Sequence, residues 1–338
     1  MTTLPIRDLD ETSGDLDRPR KIKLVRDTPD KLFRVVATAG GMTVLGIMLL
    51  VGTFLLIRAS QALHKAGFSF LTTQAWNPEG GHFGVAAILF GTILIALVAV
   101  TVAVPLSIAT ALYITEYAPL RMRRLFVSVI DLMAAIPSVV YGLWGFFFLQ
   151  ARIAPVSAWI AQHLGWIPLF KVDGVDGSTP LSSMTIFTGS TLVAGVVVGM
   201  MITPVVTSIM REVFSQVPVG EREGALGLGA TKWGVIRTVV LPFGKGGMIG
   251  GTMLGLGRAL GETIAVYMII SPVFTIQPHV LQSGAISVSS LIALQFGEAG
   301  SFGLSALMAA GLALFLMTLV INFAASSVVA RSRSGAAS

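Results

Sequence analysis

EGALGLGATKWGVIRTVVLPFGKGGMIGGTMLGLGRALGE, residues 223–262, begins as a polar, glycine-rich loop and runs straight into an apolar stretch that carries Arg258 and Glu262. An apolar helix holding a cation and a carboxylate points to a bilayer, where such charges are costly and usually mark a pathway. The rest of the chain agrees. Of its residues 54% are hydrophobic and only 12% are charged, and the mean hydropathy is strongly positive, which no water-soluble domain of this length tolerates on its surface.

Six apolar stretches are long enough to cross a hydrocarbon core, for which about 20 helical residues suffice: 35–57, 85–114, 125–149, 184–210, 248–273 and 304–330. None shows strand-type alternation, so the backbone is expected to satisfy its own hydrogen bonds as helices rather than as a barrel. The expected fold class is an all-α polytopic membrane protein with six transmembrane helices filling residues 35–330. A tail, 1–34, precedes that domain, a loop at 211–247 lies within it, and a second tail, 331–338, follows it. The segment 279–296 is moderately apolar, but Gln282, Ser283, Ser287, Ser289, Ser290 and Gln295 make it too polar for a lipid-facing span. It reads as a re-entrant or surface segment between spans five and six.

Lysine and arginine set the orientation. With the N-terminus inside, only Arg58, Lys65, Arg152 and Lys171 fall in outer loops and Arg258 inside a span; the others of the 23 lie in inner segments. The positive-inside rule therefore places both termini on the cytoplasmic side of a membrane that the chain crosses several times. Residues 1–30 mix both charge signs with few large apolar residues and read as a disordered or loosely ordered tail. No small-residue cleavage site follows the first span, which stays as an anchor. Cysteine is absent, and His64, His82, His163 and His279 lie in separate outer segments, so no metal site is expected. The net charge of +6 comes mostly from helix edges, and no soluble domain presents the basic, aromatic-studded surface that nucleic acid requires.

Between Arg211 and Gly247 the chain turns polar, with Pro218 and Pro242 as punctuation and Gly224, Gly227 and Gly229 at its centre. The residues alone fit a short amphipathic helix pair that lets another surface approach, with Glu223 exposed, and fit an ordinary connecting loop equally well. No nucleotide site of this chain's own is visible. A phosphate-cradling loop would follow Gly-Lys with Ser or Thr, whereas Gly244-Lys245 is followed by Gly246. Gly255 and Gly257 follow no strand and are not a dinucleotide loop; with Gly247, Gly251 and Gly261 they read as flat faces for tight helix packing.

Arg258 lies about 15 Å into a span that starts at Met248, at about 1.5 Å per residue. A central arginine costs about 2.5–3.5 kcal/mol on insertion scales. Self-neutralisation with Glu262 one turn on is the structural alternative, but the basic-first order is the weaker one on a helix. A guanidinium in a poorly hydrated path matches a tetrahedral oxyanion bidentately, with a nearby carboxylate to hold it in place. Arg258 and Glu262 are thus the candidate substrate pathway for a small oxyanion. Asp131, near the inner end of span three, is a weaker candidate that snorkels, caps polar groups or pairs with Arg258. Pro105, Pro137 and Pro204 each break a span, as bending points or as tolerated kinks.

The loop resembles the cytoplasmic motif of ATP-binding-cassette importer permeases: Glu-Ala-Ala, three residues, Gly, nine residues, Ile, one residue, Leu-Pro. Glu223, Ala225, Gly229, Leu241 and Pro242 fall in register, while Gly224 stands for the middle Ala and Val239 for the Ile. The stretch GLGRALGETIAV is similar to that of oxyanion importers, molybdate and sulfate permeases included. IDLMAAIPSVVYGLWG at 130–145, preceded by EYAPLRMRR, resembles the phosphate-specific permeases of the Pst type, and of their two subunits the C member. The resemblance implies a type I importer permease fold and a transport subunit rather than an enzyme. It implies an ATPase-coupling element of Glu223, Ala225, Gly229, Leu241 and Pro242, with three kinds of role: Glu223 touching the ATPase, Ala225 and Gly229 as close-packing positions, and Pro242 ending the coupling element. Implied partners are a second permease subunit of the A type, two ATPase subunits that use ATP and Mg, and an external phosphate-binding protein docking on 58–84, 150–183 and 274–303. No cofactor is expected on this chain itself. A permease for molybdate or sulfate, an ion-coupled secondary transporter using Asp131 and Glu262, and a subunit that only signals phosphate status are the alternatives.

Overall fold

A computed structural model describes residues 28–172 and 185–334, with side chains to Ser327. Most of the tail expected to be disordered, and most of the loop after Lys171, lie outside the described residues. Contacts divide the chain into two units, Met1–Val51 and Gly52–Ser338. The described part of the first is helical, the start of α1 (Thr28–Ala66), so the expected tail boundary at residue 34 falls inside a helix. Among the described residues six helices are long and apolar enough to cross a membrane: Thr28–Leu71, Ala86–Tyr117, Ser138–Leu164, Thr191–Ser215, Lys232–Leu260 and Ser301–Ser327. The protein is a multi-pass membrane protein, and its many exposed Leu, Val, Ile and Phe side chains fit a lipid-facing surface.

In the second unit α1 ends beside a short hairpin, β1 (Trp76–Asn77) with β2 (His82–Phe83), whose rings stack edge-on with Phe70 and Phe302. Helix α2 (Ala86–Leu112) follows. The span expected over 125–149 is instead split. α3 (Leu120–Ala135) is a separate amphipathic helix, and α4 (Ser138–Trp144) runs through a π turn, Gly145–Leu149, into α5 (Gln150–Leu164). Pro137 is the reason. The residue before a proline is pushed out of the helical region, and Ile136 is extended at φ −66°, ψ 129°. Residues 150–164, expected as outer loop, thus belong to the third span.

The core is built on small residues. α6 (Thr191–Ser215) lies on α2 through Gly195 and Gly199; a Cβ on Gly199 would stand 2.9 Å from the Ala99 carbonyl oxygen. Pro105 and Pro204 are carried inside these two helices rather than ending them. After α6 come α7 (Val219–Gly227), α8 (Lys232–Val235), a π turn at Ile236–Val240 and α9 (Leu241–Leu260). The glycine spacing on α9 does what the sequence reading requires of it at Gly247, Gly251 and Gly255. Their faces meet Val213, Ile209 and Val206 of α6, and Gly244 meets Phe214 in the same way. Gly257 and Gly261 take no part in that contact.

α9 stops at Leu260 instead of continuing to 273; α10 (Ile264–Ile269) is a separate piece. The 279–296 segment is inserted into the protein rather than laid on its surface. Val280, Leu281, Ile286, Val288 and Leu291 are buried, and Val288 N donates to Thr92 Oγ1 at 3.0 Å. Its serines are tolerated because Ser287 and Ser290 form a reciprocal cap on α11 (Val288–Gln295). α12 (Ser301–Ser334) closes the chain. Its Ser305 hydroxyl donates to Arg58 O at 2.8 Å and accepts from Ala62 N at 3.2 Å, stitching it to α1.

Candidate functional site

Arg258 and Glu262 stand on either side of the break between α9 and α10. Gly261 caps α9, leaving Arg258 in the last helical turn. Glu262 precedes α10, and its Oε1 accepts from Ala265 N at 3.2 Å, filling one of the donors that a helix start leaves open. Each charge complements its helix end, a cation at the C-terminus and a carboxylate at an N-terminus. The basic-first order, unfavourable on one continuous helix, is the favourable order across a break. No ion pair joins the two, so self-neutralisation is not how this chain accommodates them. Glu262 is half-buried and Arg258 is exposed on this chain.

Tyr141 of α4 packs in one cluster with Ala259 and Leu260, the residues that follow Arg258, and its hydroxyl donates to Met133 O at 3.1 Å. The end of α9 therefore stands against the other broken helix, where α3 gives way to α4. Sequence reading did not single out Tyr141; its place one turn beyond Pro137 is the signal that could have found it. Asp131 lies in α3, exposed and outside the candidate spans, and no ion pair links it to Arg258.

The motif residues assemble into one device at the far end of α9. Glu223 is exposed on α7. At its C-terminus Ala230 N bonds to Ala225 O at 3.0 Å and Gly229 N to Leu226 O at 2.9 Å, the paired bonds of a Schellman motif. Gly229 has φ +86°, which only glycine adopts at little cost. A Cβ on it would meet nothing within 4 Å, so the backbone and not close packing within this chain demands the glycine. Ala225 and Ala230 turn inward onto the cluster of Val217, Val235 and Ile236. The exposed positions are mostly apolar or glycine, beside Glu221 and Glu223: Val219, Leu226, Leu228 and Trp233 are 65%, 49%, 91% and 60% exposed, and Gly220, Gly224 and Gly227 have open space around them.

Pro242 does not end the element. The helix runs through it because the π turn directly ahead widens the backbone, where a regular α-helix would press the proline ring on the carbonyl four residues back. Leu241 is half-buried at the same point, packed with the cluster that holds Ala225.

The chain is similar to known proteins over most of its length. Residues 103–334 match the family described as the binding-protein-dependent transport system inner membrane component. The chain is 40% identical over 306 residues to the phosphate transport system permease protein PstC 2 of Mycobacterium bovis, covering 88% of this chain and 91% of that one. It is 38% identical over 298 residues to PstC of Xylella fastidiosa, covering 86% and 88%. It is 37% identical over 314 residues to PstC of Mesorhizobium japonicum, covering 91% and 92%. Among solved structures, a chain of the inward-facing MetNI methionine ABC transporter, native crystal form, superposes with TM-score 0.51 at 14% identity, over 73% of this chain and 95% of that one. At that identity the likeness speaks for fold alone, and the fold is that of the type I importer permeases.

Proposed function

The chain belongs to the family of binding-protein-dependent transport system inner membrane components, and we propose that it is the membrane-spanning permease subunit of an ATP-driven importer of inorganic phosphate. The observation that carries the cargo is Arg258, a guanidinium with no acidic partner among the described residues, presented at a helix break where its planar fork can meet a tetrahedral oxyanion. The names of the relatives favour phosphate among such anions. Glu262 has a second use in this reading, as the cap that keeps the break open beside Arg258.

α7 supplies the other half. Its exposed apolar, glycine-flat face and Glu223 form the surface on which an ATPase subunit docks, and the ATP and Mg are held there, by the partner. The complete importer comprises this chain, a second permease of the A type, two ATPase subunits and an external phosphate-binding protein. Since Arg258 opens outward from this chain, the second permease completes the path. The distribution of Lys and Arg puts α7 and both termini in the cytoplasm.

ATP-dependent uptake of labelled phosphate into vesicles holding the reconstituted complex tests this, with wild type and Arg258→Ala compared and sulfate and molybdate as competitors. Uptake that is lost in the variant and indifferent to the competitors supports the proposal. Uptake that survives Arg258→Ala removes Arg258 from the path, and uptake displaced by molybdate or sulfate names another oxyanion as cargo. Uptake driven by an ion gradient without ATP would make the chain a secondary transporter.

A further inference from the structure

α2 ends in a π turn, Tyr113–Tyr117, that directs two neighbouring side chains onto the coupling element. Glu116 Oε1 lies 3.2 Å from Arg222 Nη2 of α7, and the Tyr117 ring lies 5.7 Å from Lys232 Nζ at the start of α8. The two contacts fall on opposite sides of the Schellman turn that joins α7 to α8. Arg222 is itself anchored, since Nη2 also donates to Phe214 O at the end of α6 at 2.6 Å. One guanidinium therefore ties together the ends of α2 and α6 and the helix that follows α6.

Among the described residues the same fastening occurs once more, without the third partner. Arg123 of α3 returns to Thr115 O at 2.6 Å over the same eight-residue interval, with Pro119 starting its helix as Pro218 starts α7. In both places the arginine pins a proline-started helix to the helix before it. Arg222 adds Glu116. The side chains are 23% and 13% exposed, and Glu116 Oε1 accepts no aligned hydrogen bond, so the attraction is that of two poorly solvated charges.

α2 is placed to carry what it receives there. Ala99 and Ala103 pack in one cluster with Ala259 and Leu260, the residues that follow Arg258 in α9. The helix gripped at its end by α7 thus supports, along its middle, the helix end that presents Arg258. We propose that Glu116 and Arg222 are positioning residues, a charge latch that makes α2 move with α7 so that docking on the ATPase reaches the Arg258 site. This rests on α7 being the ATPase-docking element.

The test is the ratio of phosphate transported to ATP hydrolysed, in the reconstituted full complex, for wild type, Glu116→Gln, Arg222→Gln and the double variant. Either single change should lower the ratio by about two- to thirtyfold, the range for residues on a coupling route, with ATPase association retained. The double variant should be no worse than the worse single, because both remove one interaction. Hydrogen exchange within 219–227 should quicken in both singles while 191–210 stays as protected as in wild type. If Glu116→Gln does not assemble, Arg222→Gln and its exchange pattern decide alone. Unchanged ratios, or losses that simply multiply in the double variant, would overturn the latch. A wild-type complex that shows no ATP-dependent phosphate uptake would instead overturn the proposed function.

Discussion

Gly224→Ala and Gly229→Ala make one chemical change at two positions of the coupling element, and the structure assigns them opposite signs. Gly224 lies within α7, and an added Cβ there meets nothing within 4 Å. Alanine should therefore only reduce the freedom of the unfolded chain, stabilising the helix by about 0.5–1 kcal/mol. Gly229 is equally open but sits at φ +86°, the position that turns the chain after the helix. There a Cβ meets its own backbone, at about 1–2 kcal/mol. Local opening of the turn should slow about two- to fivefold in Gly224→Ala and quicken about five- to thirtyfold in Gly229→Ala. Hydrogen exchange of the amides at 228–230 in the purified complex reads this directly, because Gly229 N and Ala230 N are the donors of the two closing bonds. Affinity for the ATPase should follow the same order. If both variants shift exchange in the same direction, or if Gly229→Ala is neutral, the left-handed turn is not what the glycine is for.

Glu262→Gln and Glu262→Ala separate the charge from the cap: glutamine retains an acceptor for Ala265 N, whereas alanine leaves that donor open at about 1 kcal/mol. Uptake should fall in both, while thermal stability in detergent falls only in Glu262→Ala; a Gln variant as unstable as Ala would mean that the carboxylate's role is structural. Glu223→Lys reverses an exposed charge that has no partner among the described residues, so stability should hold while ATPase association or coupling weakens; normal coupled turnover would remove Glu223 from the docking surface. Gly199→Val forces atoms against the Ala99 carbonyl, already 2.9 Å from a bare Cβ, and should cost about 1–3 kcal/mol. A thermal midpoint equal to wild type would show that α2 and α6 separate freely there.

Much of the fold was legible because each span must bury its own hydrogen bonds, and long apolar runs announce that requirement in sequence. The glycine row 247, 251, 255 was legible for a similar reason: its four-residue spacing prescribes one flat face, and α6 occupies it. Span boundaries were less so. Pro137 was recognised as a break, but composition alone did not show that the break detaches α3 from the third span and sends that span on to Leu164. The fifth span misled for the opposite reason, since Gly261 is one of several glycines in a run whose apolar character resumes after Glu262 and continues to Ile270.

Sequence by itself determined the membrane class, the six crossings, the importer motif and the presence of two costly charges, because each is a property of composition or spacing along the chain. Tertiary structure decided what those residues do to one another. The helix stops between Arg258 and Glu262, so each charge meets a helix end instead of the other charge. Gly229 serves a turn rather than a contact, and π turns let the chain pass Pro242 and aim Glu116 at Arg222. Those outcomes depend on backbone direction and on partners far apart in the chain, which no local pattern of residues carries.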